Sequence, residues 1–400
     1  MREIIQDEAV NSWLSSGKRN TIVLPTGVGK TFIGGRIIKS ELEDNPNSSI
    51  LVVVPNTPLI DQWKKVLKEK FEIENINVKC IQTAHKENNI YDLIVVDEVH
   101  STLSEVYREF YRNNTYFKGL GLTATPPQKK EYLETLNNVL PICYTKTLDE
   151  VVGKAVANYT MYNVEVNFDR KDRAKYDVFD SQFKKAQLEI MLFKSKHKFK
   201  DNMFDIAKKY SSTKKETLIE EHAESEAILQ DLDLIIKASK QYWSSMTMRK
   251  WTCYESNAKL KVLKEILDKY KDKKWIIFNK SIKFAEKIKK LYPESYLYHS
   301  KMSKADRAQS LIDFSISKNS KLIAVDALNA GIDVEDADAA LTVSGVSTKL
   351  TGVQQLGRII RKKDNKLSLF VNLYTKDTVE ENWTRSRSED FKSCKWVKKL

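Results

Sequence analysis

The stretch Leu24-Pro25-Thr26-Gly27-Val28-Gly29-Lys30-Thr31 decides how the rest of the chain is read. Before it, residues 21–24 form a short apolar run that predicts a buried strand; after it, residues 32–38 predict a helix. A strand, a glycine-rich turn and a helix start make an anion site. Backbone N–H groups converge on the turn, and the helix dipole adds positive potential. In such a turn Lys30 reaches the β- and γ-phosphates of a nucleotide, and the Thr31 hydroxyl ligates Mg2+. Leu24 stands where the general phosphate-loop pattern has its first glycine, so a chance glycine-rich turn is the alternative until partners are found downstream.

Outward from this loop, apolar runs alternate with helical patterns. On the N-terminal side Ile5, Ala9, Val10, Trp13 and Leu14 are spaced for one helix face, and Gly17 closes that helix. On the other side residues 49–54 read as a fully apolar strand ending at Pro55, and 61–71 as a helix. Residues 78–83, 93–96 and 119–122 read as further strands. Continuous apolar strands between helices belong to a parallel sheet covered on both faces. Residues 162–168 then alternate like a half-exposed strand, and 172–248 are long, charged and helical. Tyr176, Phe179, Phe183, Ala186 and Ile190 fall near helical spacing there. A second helix is expected to carry Leu218, Ile219, Ala223, Leu229, Leu232, Ile235 and Ile236. Alternation returns after Ser256, and the helix read over 302–314 opens on Ser303 and Asp306 as a capping-box variant. The expectation is an α/β protein: a first domain over 1–150, a linker strand and charged helical insert over 151–255, a second domain over 256–378, and a basic tail over 379–400.

Four hundred residues exceed a single hydrophobic core, in line with two domains. No apolar run reaches membrane-spanning length and no basic-then-apolar leader opens the chain, so a cytoplasmic protein without a membrane partner is expected. Cys80, Cys143, Cys253 and Cys394 are far apart and read as reduced thiols rather than a zinc site. A net charge of +13 fits a polyanionic partner, or simply a lysine-rich composition. The run Lys194-Ser195-Lys196-His197-Lys198-Phe199-Lys200, beside Phe193, likewise reads either as a solvated face or as a surface against nucleic acid.

Three motifs complete the loop. Val95-Val96-Asp97-Glu98-Val99-His100 puts two carboxylates at the carboxyl end of an apolar strand, where parallel sheets bind ligands. Asp97 then holds Mg2+ through water, and Glu98 orients or deprotonates the attacking water. Thr123 and Thr125, in Leu122-Thr123-Ala124-Thr125-Pro126, offer hydroxyls to bond this acidic pair and transmit nucleotide state. Gln354-Gln355-Leu356-Gly357-Arg358-Ile359-Ile360-Arg361 sets Arg358 and Arg361 three apart, on one face if helical. Their planar forks suit a triphosphate. The alternative is a surface helix with solvated arginines, which Gly357, Ile359 and Ile360 argue against.

The series of these motifs, with Ala-Leu-Asn-Ala-Gly-Ile-Asp-Val at 327–334, resembles motifs I, II, III, V and VI of the superfamily 2 helicases in that order. The resemblance covers nearly the whole chain apart from 170–250. It implies two tandem RecA-like domains with ATP and Mg2+ in the cleft between them. Carried over, residues from Pro25 through Thr26, Gly27, Val28, Gly29 and Lys30 to Thr31 bind phosphates and Mg2+. His100 couples this site to Gln354, Gly331 and Asp333 sense the nucleotide, and Arg358 and Arg361 are the fingers. Gln6 resembles the adenine-reading glutamine, although Glu3 holds the place of the family's arginine and Arg2 lies one residue further out. Val325-Asp326-Ala327 likewise departs from the usual start of motif V.

Pro55, Asn56 and Thr57 resemble motif Ia, Gln82 and Thr83 motif Ib, Asn279 and Lys280 motif IV, and His299 to Lys301 a neighbouring strand-end contact. Such groups suit phosphate contacts that fix position without reading sequence. The implied activity is an ATPase that moves on, unwinds or remodels single-stranded, forked or branched DNA as a monomer, like the fork-remodelling and branch-migration helicases of phages and bacteria. An RNA helicase and the motor subunit of a restriction-type complex are the rival readings. A nucleotide switch with poor hydrolysis is a further one, against which Glu98, Arg358 and Arg361 count.

Overall fold

The computed structural model describes residues 1–326, 337–345, 349–360, 367–389, 391 and 393–400, with the side chains of 349–351 and 354 left out. The first half of the chain opens with α1 (Arg2–Ser15), β1 (Arg19–Val23), α2 (Lys30–Asp44), β2 (Ile50–Val54), α3 (Thr57–Phe71), β3 (Asn77–Cys80) and α4 (Ile81–Ala84). It continues through β4 (Ile90–Asp97), α5 (Glu109–Asn113), β5 (Thr115–Thr123), α6 (Lys130–Val139), β6 (Ile142–Thr145) and α7 (Leu148–Val151). After β7 (Asn158–Val166) come four helices, α8 (Arg170–Lys196), α9 (Met203–Ser212), α10 (Lys215–Glu221) and α11 (Glu226–Tyr254). Alternation resumes with α12 (Asn257–Lys269), β8 (Trp275–Asn279), α13 (Ile282–Leu291), β9 (Tyr296–Tyr298), α14 (Lys304–Ile316), β10 (Lys321–Val325) and β11 (Ala339–Thr342). The chain closes with α15 (Lys349–Gly357), β12 (Leu367–Thr375), α16 (Val379–Ser388) and β13 (Cys394–Val397).

Two compact units result. One, of residues 1–164, 268–373 and 383–400, carries two sheets, ordered β3-β2-β4-β5-β1-β6 and β13-β7-β12-β11-β8-β10-β9. Every pairing described between neighbouring strands is parallel. The central strands are the all-apolar runs: Ile50 to Val54 are all buried, as are Trp275 to Asn279, because helices cover both faces. Register aligns three strand ends at one edge of the first sheet. Val23 lies opposite Thr123, and Leu122 opposite Asp97, so the loop after β1 and the acidic pair after β4 flank the end of β5. Ser303 caps α14 by accepting from the Asp306 amide, as the sequence predicts.

The structure departs from the sequence reading in three places. β3 stops at Cys80 and residues 81–84 coil into α4, so Gln82 and Thr83 sit on a helical turn and not on a strand. The half-exposed strand β7 joins the second sheet, and the basic stretch 379–400 is folded, its β13 pairing with β7 from Cys394↔Met161 to Val397↔Val164. The single helix expected over 218–236 is broken between α10 and α11, where the Tyr210 hydroxyl meets the His222 ring at 2.9 Å.

The second unit, residues 165–267 and 374–382, holds the charged helices. α8 and α11 run in opposite senses, since Arg249 pairs with Asp180 at one end and Lys196 with Asp231 at the other. Ala186, Ile190, Phe193, Tyr210, Leu232 and Ile235 form its own apolar core. Lys259 and Glu380 make a fully buried ion pair at 2.6 Å, and the second Glu380 oxygen accepts from the Thr375 amide and hydroxyl. That full set of bonds is what makes burying two charges tolerable. No helix among the described residues is long and apolar enough to cross a membrane.

Candidate functional site

The phosphate loop is shaped by two glycines in the left-handed region, Gly27 at φ 93° and Gly29 at φ 103°. Gly29 also has no room for a side chain: a Cβ there would lie 2.6 Å from Gln6 Nε2 and 2.9 Å from Arg2 Nη2. Both of those side chains turn to the loop, Gln6 Nε2 donating to the Val28 carbonyl at 2.8 Å and Arg2 Nε at 3.0 Å. Arg2 and Gln6 are four apart in α1, so they share a face. Lys30, the first residue of α2, is buried and donates to the Leu24 carbonyl at 3.2 Å, with Thr31 half-buried after it.

The acidic pair stands at the same sheet edge. Asp97 is buried; its Oδ2 accepts from Trp63 Nε1 at 2.8 Å and its Oδ1 from the Glu98 amide at 3.0 Å. Burial, and then the charge of Glu98, push the Asp97 carboxyl up to about 6, against the pull of Trp63 and Lys30. Glu98 takes a left-handed φ of 49° where the strand ends. Its Oε2 is buried without a hydrogen-bond partner, 3.4 Å from His100 Nδ1. An orphaned carboxylate oxygen next to a second, buried carboxylate is a donor set that fits Mg2+ and its water.

Thr123 does not bond the acidic pair, as the sequence suggests; its hydroxyl donates to the Thr125 carbonyl at 2.9 Å and lies 3.0 Å from His100 Nδ1. With its one proton given to Thr125, Thr123 can only accept from His100, which assigns the Nδ1–H tautomer. Burial, and then the charge of Lys30, hold His100 down at about 4, so the ring is neutral. The fourth element is α15. Gly357 stands so close to the loop that a Cβ on it would lie 2.2 Å from Thr26 Cβ, and Thr26 Oγ1 donates to the Val353 carbonyl at 3.3 Å. The Ala157 amide donates to the Ile360 carbonyl at 2.8 Å, and Leu356, Ile359 and Ile360 are buried. The helix ends at Gly357, so Arg358 stands on the turn after it; the shared helical face expected for Arg358 and Arg361 is not formed at that residue. Arg361, Gly331, Asp333 and the side chain of Gln354 lie outside the described residues.

The residues read as nucleic-acid contacts divide. Pro55, Asn56, Thr57 and Thr83 come together with Gln82 around a cavity of about 600 Å3 at the ends of β2 and β3. Asn279 is buried, and its carboxamide holds its own loop: Oδ1 accepts from the Lys280 amide at 2.8 Å and from the Ser344 hydroxyl at 2.9 Å. The Lys280 ammonium pairs with Asp326, while His299 is half-buried and Lys301 exposed. In the insert, Lys196 is paired with Asp231, and Phe193 and Phe199 stack at 5.4 Å within the helical core, leaving Lys198 and Lys200 exposed. Sequence reasoning missed Trp63 and Ser344, because nothing local ties Trp63 to a carboxylate 34 residues away or Ser344 to a loop 65 residues away.

Comparison with known proteins accords with this geometry. The family model described as type III restriction enzyme, res subunit, matches residues 3–82 and 65–128, and the helicase conserved C-terminal domain matches 258–363. The chain is 29% identical to the DNA 3'-5' translocase XPB2 of Sulfurisphaera tokodaii over 96% of its own length and 84% of that protein. It is 33% identical to the uncharacterized ATP-dependent helicase YqhH of Bacillus subtilis, over 29% of this chain and 24% of that one. The Hef helicase domain of Pyrococcus furiosus shares the fold at a TM-score of 0.56 and 18% identity, over 96% of this chain and 97% of that one. The fold is that of tandem RecA-like domains, and the two family models together with the likeness to the Sulfurisphaera translocase support a superfamily 2 helicase. It is thus an ATP-hydrolysing enzyme.

Proposed function

We propose that the chain couples ATP hydrolysis to movement along DNA, as a translocase or helicase acting on single-stranded, forked or branched strands. The observation that carries this is the buried, unpartnered Glu98 Oε2, set at the same sheet edge as the phosphate loop that Gly357 touches. In this reading Lys30 exchanges the Leu24 carbonyl for the β- and γ-phosphates, and Gln6 and Arg2 hold the loop from behind. Thr31 and Asp97 would hold Mg2+, which when bound neutralises phosphate charge. Glu98 orients the attacking water and takes its proton. Arg358 and Arg361 stabilise charge on the transferred phosphoryl group. Residues 1–150 and 256–378 are the two motor domains, and 151–255 the segment that selects substrate. A nucleic acid is favoured by the net charge of +13, and DNA in particular by the likeness to the DNA translocase of Sulfurisphaera tokodaii. The match to the res-subunit model favours a second reading, a motor that moves on duplex without parting its strands.

The test is ATPase activity with single-stranded, duplex, forked and four-way DNA and with RNA, run in parallel on the wild type and Lys30→Ala. Stimulation by forked or branched DNA, lost in the variant, is the expected result. Stimulation by intact duplex alone selects the second reading, and stimulation by RNA alone overturns both.

A further inference from the structure

Trp63 belongs neither to the phosphate loop nor to the acidic pair, yet it touches the elements that carry both. It lies on the buried face of α3 with Leu59 and Leu67, and none of its surface reaches solvent. The benzene end of the indole rests on α2, where a Cβ on Gly34 would lie 2.5 Å from Trp63 Cη2 and 3.2 Å from Cζ3. A Cβ on the next residue, Gly35, would run into the Phe71 ring. A glycine inside a helix costs about 1 kcal/mol relative to alanine, so two in succession mark a place where α3 must lie close to α2. At the opposite edge of the indole, Nε1 donates to Asp97 Oδ2 at 2.8 Å.

A carboxylate on a soft χ2 torsion needs outside bonds to hold one orientation. For Asp97, the bond to Oδ1 comes from the amide of the next residue, Glu98, and moves with the same turn. The bond to Oδ2 comes from another element, through a ring wedged against α2. With one hydrogen bond on each oxygen, the carboxylate plane is fixed and each oxygen keeps a lone pair to accept another. We propose that Trp63 is a positioning residue for Mg2+, its indole N–H setting the direction in which Asp97 presents those lone pairs to the metal's water. The inference rests on the reading of Asp97 as a holder of Mg2+ and deepens it. Trp63→Phe keeps an aromatic ring on α3 and removes the donor, so it separates positioning from packing.

The measurement is the affinity of a fluorescent ADP analogue in EDTA and in saturating Mg2+, on variants shown to be folded by circular dichroism. The gain in affinity that Mg2+ brings is expected to shrink by about tenfold in Trp63→Phe, the lower end of what loss of a bond behind a metal ligand costs, with affinity in EDTA kept. Asp97→Asn should remove most of the gain, and Trp63→Phe added to it should remove no more, because the indole acts through the carboxylate. Gly34→Ala keeps the indole and favours the helix but drives a methyl group into the ring, so it should shrink the gain too and replaces Trp63→Phe if that variant does not fold. An undiminished gain in the folded variant, beside a lost gain in Asp97→Asn, overturns the proposal and leaves the metal reading standing. So does an equal loss of ADP affinity with and without Mg2+, which is what looser packing alone gives. An undiminished gain in Asp97→Asn overturns the metal reading itself, and the proposal with it.

Discussion

The ends of two parallel sheets present similar topology and opposite chemistry. After β4 in the first sheet, Asp97 is buried with its carboxyl pushed up to about 6, and Glu98 keeps an oxygen with no partner. After β8 in the second, the Asn279 oxygen takes the Lys280 and Ser281 amides and the Ser344 hydroxyl, its nitrogen donates to the Ser281 carbonyl, and Lys280 pairs with Asp326. Carboxyl ends of parallel strands are where ligands bind, but the position alone does not say which end is reactive. What separates the two is bonding capacity left over. At the first end, buried groups remain incompletely satisfied, which is tolerated where a ligand will complete them. At the second, the loop completes its own hydrogen bonds.

Glu98→Gln puts this contrast under the greatest strain. Turnover should fall by about 10²–10⁴-fold while ATP binding is kept, because a general base is lost and no phosphate contact is removed. Near-normal turnover measured beside nucleotide affinity would erase the distinction between the two strand ends. His100→Asn comes next. Burial lowers the His100 pKa to about 4, whereas in the unfolded chain it sits near 6.5, so the unfolded state binds the extra proton between those values. Stability is therefore present above pH 6.5 and declines as pH falls toward 4, by up to about 3 kcal/mol. Denaturant unfolding across that window should show a flatter profile in the variant, and an unchanged slope would remove His100 from the cause.

Asn279→Ala tests the other end. It leaves two amides and a hydroxyl without their acceptor and should cost about 1–3 kcal/mol of stability. DNA affinity at a temperature where the variant stays folded is expected to hold; a fall in affinity without a fall in stability would make Asn279 a contact. The smallest effect belongs to Asp326→Asn. Its carboxylate is 59% exposed, and the pair it forms with Lys280 is worth less than about 1 kcal/mol. Thermal unfolding within that margin of the wild type is the outcome to check.

Much of this was legible in the chain. Apolar runs broken by helical periods set two parallel sheets, and the glycine-rich loop and the Asp-Glu pair were visible because each is a few consecutive residues with one local backbone requirement. The partners of those residues were not. Trp63 reaches Asp97 from 34 residues away, Gly357 meets Thr26 across most of the chain, and Arg2 lies beside Gln6 although it misses the family's spacing by one. Phe193 and Phe199, flanking a lysine run, could face nucleic acid or the interior, and packing against Tyr210 chose the interior. Local sequence determined which backbone each segment takes, since dihedral preference and hydrophobic period act within a few residues. Only the tertiary structure decided which buried polar atoms are satisfied and which remain open, because their donors arrive from distant segments brought together by burial of the core.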